Sequence, residues 1–160
     1  MELKYRAWNK NYKNMEYISD LYWFEETGIH DSKGEGLFND YIIMPSTCVQ
    51  DKNGKEIYIG DIIQYNTYDD FDCRSIVNLG KYWQDGSGGE YRKTGCLGFY
   101  VEVDNFTCPD WCEDEPEHFP YHMRQQNILE VANDCEVIGN IYENPELIGK
   151  GEKDELRYFI

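Results

Sequence analysis

The sequence predicts a mainly β chain, α+β at most, organised around a small β-barrel. Three observations lead there. The first is Asp51–Tyr65, DKNGKEIYIGDIIQY, in which the turn pair Asn53-Gly54 precedes a β-branched and aromatic run broken once by Gly60-Asp61. Such a run reads as a strand that bends through a glycine and resumes as a second strand. The second is rhythm: short apolar runs separated by glycine turns at roughly ten-residue intervals suit a barrel better than βαβ units. The third is composition. Hydrophobic residues make up 41% of the chain and aromatics 16%, which excludes a fully disordered polypeptide. Fourteen tyrosines suit half-buried pleated surfaces and interfaces. At 160 residues the chain holds one ordinary domain, or two very small ones sharing a core.

Taken in order, Leu3–Trp8 is expected as a first strand, Asn9-Lys10-Asn11 as a turn, and Met15–Ile18 as the hairpin partner. Leu21–Phe24 reads as a buried strand. Gly28–Gly36, with three glycines beside Asp31 and Ser32, reads as a loop. Tyr41–Met44 is a short strand that Pro45 is expected to end, because proline cannot donate to a ladder. Thr47–Val49 follows, then the Asp51–Gly54 turn. Ile57 and Ile59 are placed on one face of the next strand and Tyr58 on the other. Gly60 supplies the unusual backbone angles of a sharp bend, Asp61 caps or shapes that turn, and Ile62–Tyr65 resumes the sheet. Arg74–Tyr82 and Leu97–Val103 are further strands, separated by a flexible loop over Asp85–Gly95. Phe106–Tyr121, rich in acid and proline, reads as an exposed insertion. Gln125–Glu130 is a short strand or a helical turn, and Cys135–Tyr142 is the closing strand. Asn144 caps a last short helix with Pro145 at its first position. The tail, 149–160, is charged and then aromatic, and is expected to fray. The organisation is thus an N-terminal strand-rich segment over 1–45, a barrel over 46–148 with an insertion at about 104–124, and the tail.

The formal net charge is −16. So acidic a chain repels phosphate backbones and lacks the basic footprint that nucleic acids require. Solubility, or attraction to a basic protein surface, fits it better. The local basic group Lys81, Arg92 and Lys93 is the one place where nucleic-acid contact has any footing. No run approaches the ~20 apolar residues of a membrane span, and the N-terminus has no apolar signal-peptide core. A cytoplasmic location is expected, and with it six free thiols rather than disulfides.

The sharpest chemical constellation is Cys108, Cys112, His118 and His122, spaced C-x3-C-x5-H-x3-H. Two thiolates and two imidazoles complete a tetrahedral zinc shell, and a loop without a core gains folding energy from such an ion. Against it, the central gap of five residues is far shorter than the ~12 of a zinc finger. Pro116 and Pro120 restrict the wrapping further. An exposed insertion with incidental thiols and imidazoles is the simpler reading, and no cofactor is expected. The acidic flanks of Cys108 and Cys112 raise thiol pKa, which works against a nucleophile. Asp69, Asp70 and Asp72 lack the glycine and distal glutamate of a calcium loop. His30 follows Glu25 and Glu26, but Gly28 breaks any helix that would align them. No phosphate loop, nucleophile elbow or dinucleotide fingerprint is present.

Three stretches together resemble the YopX family, small proteins of phages and prophages of Gram-positive bacteria. They are Tyr5-Arg6-Ala7-Trp8-Asn9-Lys10 leading to Met15, Gly54–Ile63 (GKEIYIGDII), and Val137–Leu147 (VIGNIYENPEL). The resemblance spans nearly the whole chain and implies an SH3-like barrel joined to a β or α+β N-terminal segment, with self-association. It carries no catalytic residues across, and no family landmark falls in 67–133. The resulting expectation is a non-catalytic phage accessory protein that binds itself and an unidentified host or phage protein, with no direct nucleic-acid or membrane contact. The alternatives are an acidic nucleic-acid mimic that occupies a host DNA-binding protein, and a zinc protein or metal-dependent enzyme centred on the Cys108, Cys112, His118 and His122 set.

Overall fold

Strands dominate the computed structural model, which describes residues 4–24, 28–36, 40–66, 72–84, 94–106 and 125–148. They are β1 (Tyr5–Asn9), β2 (Asn14–Ile18), β3 (Leu21–Phe24), β4 (Gly28–Asp31), β5 (Tyr41–Gln50), β6 (Glu56–Tyr58), β7 (Asp61–Asn66), β8 (Asp72–Gln84), β9 (Thr94–Phe106), β10 (Gln125–Asn127) and β11 (Glu136–Asn140). A single α-helical turn, α1 (Ile128–Val131), and a 3-10 turn at Pro145–Leu147 are the helical elements among the described residues. One sheet has the order β2-β1-β5-β6, a second β10-β9-β8-β7-β11, and β3 pairs β4 apart from both. The mainly β, small barrel-like class that the sequence predicts is the class observed.

The β1–β2 hairpin closes where Asn9 was expected to turn the chain: Asn9 Oδ1 accepts from the backbone N–H of Asn11 and of Tyr12, both at 3.0 Å. The next expectation needs correction. Gly28–Asp31 is not loop but a strand, pairing Leu21 with Asp31 and Tyr22 with His30. The turn lies after it, where Asp31 Oδ1 accepts from the N–H of Lys33 and Glu35, each at 2.9 Å. Leu21 and Tyr22 are half-buried rather than buried, because their sheet has only two strands.

Pro45 does not end its strand; β5 runs unbroken across it to Gln50. Ser46 N–H donates to the Lys4 carbonyl at 2.9 Å, while the Pro45 carbonyl accepts from Ile59 N–H. A residue's N and C=O point to the same side of a strand, so the missing N–H of Pro45 faces away from β1 and that ladder loses nothing. Beyond it the β5–β6 register shifts between Ser46 and Gln50. Cys48, at φ 60°, makes the kink, with Ser46 Oγ accepting its N–H at 2.8 Å.

Ile57 and Tyr58 point to opposite faces, yet both are buried. The Tyr58 face is covered from within its own sheet, by Arg6 of β1 over the ring and Tyr17 of β2 at its edge. On one side Ile57 joins Ile63, Tyr65, Val77, Val101, Val137 and the helical residues Ile128 and Val131 in the main core. Ile62, Ile76 and Ile148 form a smaller cluster across the second sheet. Gln125–Glu130 resolves into both of its expected alternatives: β10 pairs Tyr100–Glu102, and Asn127 then caps α1 by accepting from Leu129 N–H at 2.9 Å. Asn144 precedes Pro145 as expected but does not cap the 3-10 turn with its side chain. Its Oδ1 turns back to accept Asn140 N–H at 3.3 Å.

Candidate functional site

Two turns singled out in the sequence organise the molecule. In the first, Asp51 N–H donates to the Lys55 carbonyl and Gly54 N–H to the Asp51 carbonyl, with Gly54 at φ 81° and Asn53 inside the turn. The carboxylate of Asp51 then does something the local sequence does not announce. Its Oδ1 accepts from the N–H of Asn53 and of Lys55, and its Oδ2 from Val137 N–H on β11, all at 2.9 Å. Burial alone would raise this carboxyl. The Val137, Lys55 and Asn53 N–H donors outweigh burial and hold it below the usual carboxylate range.

The second turn, Gly60-Asp61, forms the seam between the two sheets. Gly60 sits at φ 80°, a left-handed conformation that side chains disfavour. Its N–H donates to the Val77 carbonyl of β8 and its carbonyl accepts from Ile141 N–H, so this residue ties the centre of the second sheet to its last turn. Asp61 closes the bend by accepting Tyr58 N–H on Oδ2 at 2.8 Å. Its Oδ1 lies 2.6 Å from Arg6 Nη2 of β1, with both side chains 5% exposed or less. The Arg6 guanidinium also donates to the Ile59 carbonyl at 3.3 Å and lies 4.8 Å over the Tyr58 ring. Arg6 Nε, fully buried, has no hydrogen-bond partner among the described residues. Burial pushes the Asp61 carboxyl above the usual range, while Arg6 and the Tyr58 N–H pull it down.

Around this pair the seam is aromatic and apolar. Trp8 stacks on Tyr142 at 5.8 Å between ring centres, and Tyr17 meets Tyr58 edge-on at 6.2 Å. Outside it opens a groove of about 200 Å³, lined by residues that include Ile42, Met44, Ile59, Leu79, Ile141 and Tyr142. None of the described residues that line it is charged. Chemically the groove offers apolar contact and little else.

The other sequence candidates divide cleanly. Cys108, Cys112, His118 and His122 lie outside the described residues, as do Asp69, Asp70, Arg92 and Lys93. Among the described residues no group of three or more His, Cys, Asp or Glu is placed to hold a metal. His30 is committed to its hairpin, its Nδ1 3.1 Å from the Gly34 carbonyl and its ring stacked on Tyr22. Cys135 is wholly buried, and burial together with the neighbouring Asp51 carboxylate pushes its thiol up to about 12. Arg6 and the Asp51–Val137 link were missed in the sequence. The Asp-x-Asn-Gly pattern marks the Asp51 turn, but nothing local marks a partner 86 residues away. No helix among the described residues is long and apolar enough to cross a membrane.

The family comparison agrees with the resemblance carried by the three sequence stretches. A search of curated proteins finds no match. Among solved structures, protein EF1440 from Enterococcus faecalis is similar, at 26% identity over 92% of this chain and 98% of that one, with a TM-score of 0.47. The family model described as YopX protein matches residues 4–149, the span that carries the Arg6–Asp61 seam and both turns, so the chain belongs to the YopX family.

Proposed function

We propose that this chain is a non-catalytic phage or prophage accessory protein of the bacterial cytoplasm that acts by binding proteins, a further copy of itself among them. The observation that carries the reading is the uncharged groove at the seam, open to solvent on a chain whose net charge is −16. Ligand pockets for small metabolites pair apolar walls with a few convergent polar groups. Here Arg6, which touches the lining residues Met44 and Ile59, is buried and paired with Asp61. Apolar contact surface without converging chemistry is what protein recognition uses.

Light scattering coupled to size exclusion tests the self-binding part. A mass above 19.0 kDa is expected at micromolar concentration, and a clean monomer contradicts it. The charge favours a second reading, an acidic mimic of nucleic acid that fills the basic groove of a host DNA-binding protein. Capture of such a partner would weaken steeply with salt, whereas apolar recognition would not. The zinc reading of Cys108, Cys112, His118 and His122 is settled by elemental analysis of untagged protein: one equivalent of zinc supports it, and less than about a tenth removes it.

A further inference from the structure

The β8–β9 hairpin carries an apolar face that continues the seam groove outward. In an antiparallel ladder directly opposed residues share a face. Leu79 opposes Phe99, Lys81 opposes Leu97 and Trp83 opposes Gly95, so these residues stand together. The large apolar groups among them are open to solvent at three positions: Leu79 is 45% exposed, Trp83 50% and Leu97 85%. Leu79 also lines the groove, which makes groove and hairpin face one patch. Among the described residues the other exposed large apolar groups, Tyr12, Tyr17 and Leu129, lie on the β1–β2 turn, β2 and α1.

The charge distribution says what covers it. The chain holds 31 acidic residues, yet 75–84 and 94–101 contain none, and Lys81 is the lone charge. Lys81 itself lies 5.1 Å over the Trp83 ring, spreading its cation on an aromatic surface. Two copies of so acidic a chain repel each other wherever carboxylates would meet. The described strands of this patch bring no carboxylate to a contact between two copies, and the patch is apolar enough to reward that contact. We propose that the β8–β9 hairpin face, with the adjoining groove, is the surface on which a second copy of this chain docks. The inference rests on the self-binding reading above and adds the site. If both copies use the same patch, the contact is two-fold and closed.

The charge argument also fixes the sign of a salt effect. Salt screens the long-range repulsion between copies and leaves apolar contact intact, so self-association should tighten as salt rises. The test is sedimentation equilibrium of the full chain and its variants at about 50 mM and about 500 mM sodium chloride. Leu97→Asp places a carboxylate in the patch at a position so exposed that folding does not depend on it; circular dichroism checks this. The expected result is a dissociation constant raised at least about tenfold for Leu97→Asp. Tyr12→Asp and Leu129→Asp should associate as the parent does, and the parent should associate more tightly at the higher salt. A parent multimer that Leu97→Asp and Leu79→Asp both leave intact overturns this surface while the self-binding reading stands. A parent that weakens with salt overturns it too, since the contact would then be between opposite charges. A parent that is monomeric at every concentration overturns both.

Discussion

Arg6 and Asp61 form a buried ion pair between a strand of one sheet and the first residue of a strand in the other. Such pairs are weak evidence of net stability, because taking two charges out of water costs several kcal/mol that their attraction must offset. Removing one partner is a different matter. Arg6→Met leaves a carboxylate in a seam that burial already disfavours, and the loss is expected to be about 3–5 kcal/mol. Arg6→Met with Asp61→Asn removes the orphan charge, and Asn keeps an oxygen for the Tyr58 N–H that Asp61 Oδ2 now accepts. The double variant should therefore recover part of the loss, and urea midpoints measure both. A double variant no more stable than Arg6→Met would show that the pair serves geometry rather than charge balance. At this scale the sequence shows that Gly60-Asp61 is a bend and that Asp61 shapes it. It does not show that Asp61 answers to Arg6, because a contact across 55 positions of chain leaves no local pattern.

The elements legible in the sequence are those whose ends are fixed by local chemistry. Asn9, Asn53-Gly54 and Gly60 each place a turn where their own backbone preferences allow one. The elements misread are those where context overrides a breaker: β4 forms through a glycine-rich stretch because β3 supplies a ladder, and Pro45 continues a strand because its imino edge faces away from β1. Tyr58 is buried for the same kind of reason: Arg6 and Tyr17, from other strands of its sheet, cover it, which periodicity within one strand cannot announce. Gly139 extends the lesson to β11. A Cβ there would lie 2.6 Å from Asn144 Oδ1 and 3.0 Å from Asn144 Cβ, too close for either to stay. Gly139→Ala should thus displace Asn144 and its acceptance of Asn140 N–H, at a cost of about 1–3 kcal/mol. Asn144→Ala removes the clashing amide, so the two substitutions should be less than additive in thermal or urea unfolding. Strict additivity would mean the strand yields instead of the side chain.

For the whole molecule, two buried carboxylates give opposite responses to acid. Asp51 has its folded pKa lowered from 3.8, so its contribution to stability is complete above that value and disappears as pH falls through the folded one. Asp61 has its pKa raised from 3.8, so the folded state holds that proton more firmly and its contribution shrinks as pH rises through the interval above 3.8. Acidification also relieves the self-repulsion of a chain at −16, which favours the folded state. The measured pH profile of the parent is the sum of these, and no single group can be read from it. A difference isolates Asp51. Asp51→Asn keeps an acceptor for the turn but cannot titrate, and it sets an amide donor against backbone N–H groups. Near neutral pH it should cost about 1–3 kcal/mol relative to the parent. Since the parent loses its Asp51 contribution in acid and the variant has none to lose, the gap should narrow from about pH 6 to about pH 3. Urea midpoints for both proteins across that range measure it. A gap that stays constant would mean the Asp51 carboxyl titrates alike in the folded and unfolded chains, and that its three backbone hydrogen bonds, the Val137 link to β11 among them, do not favour the charged form.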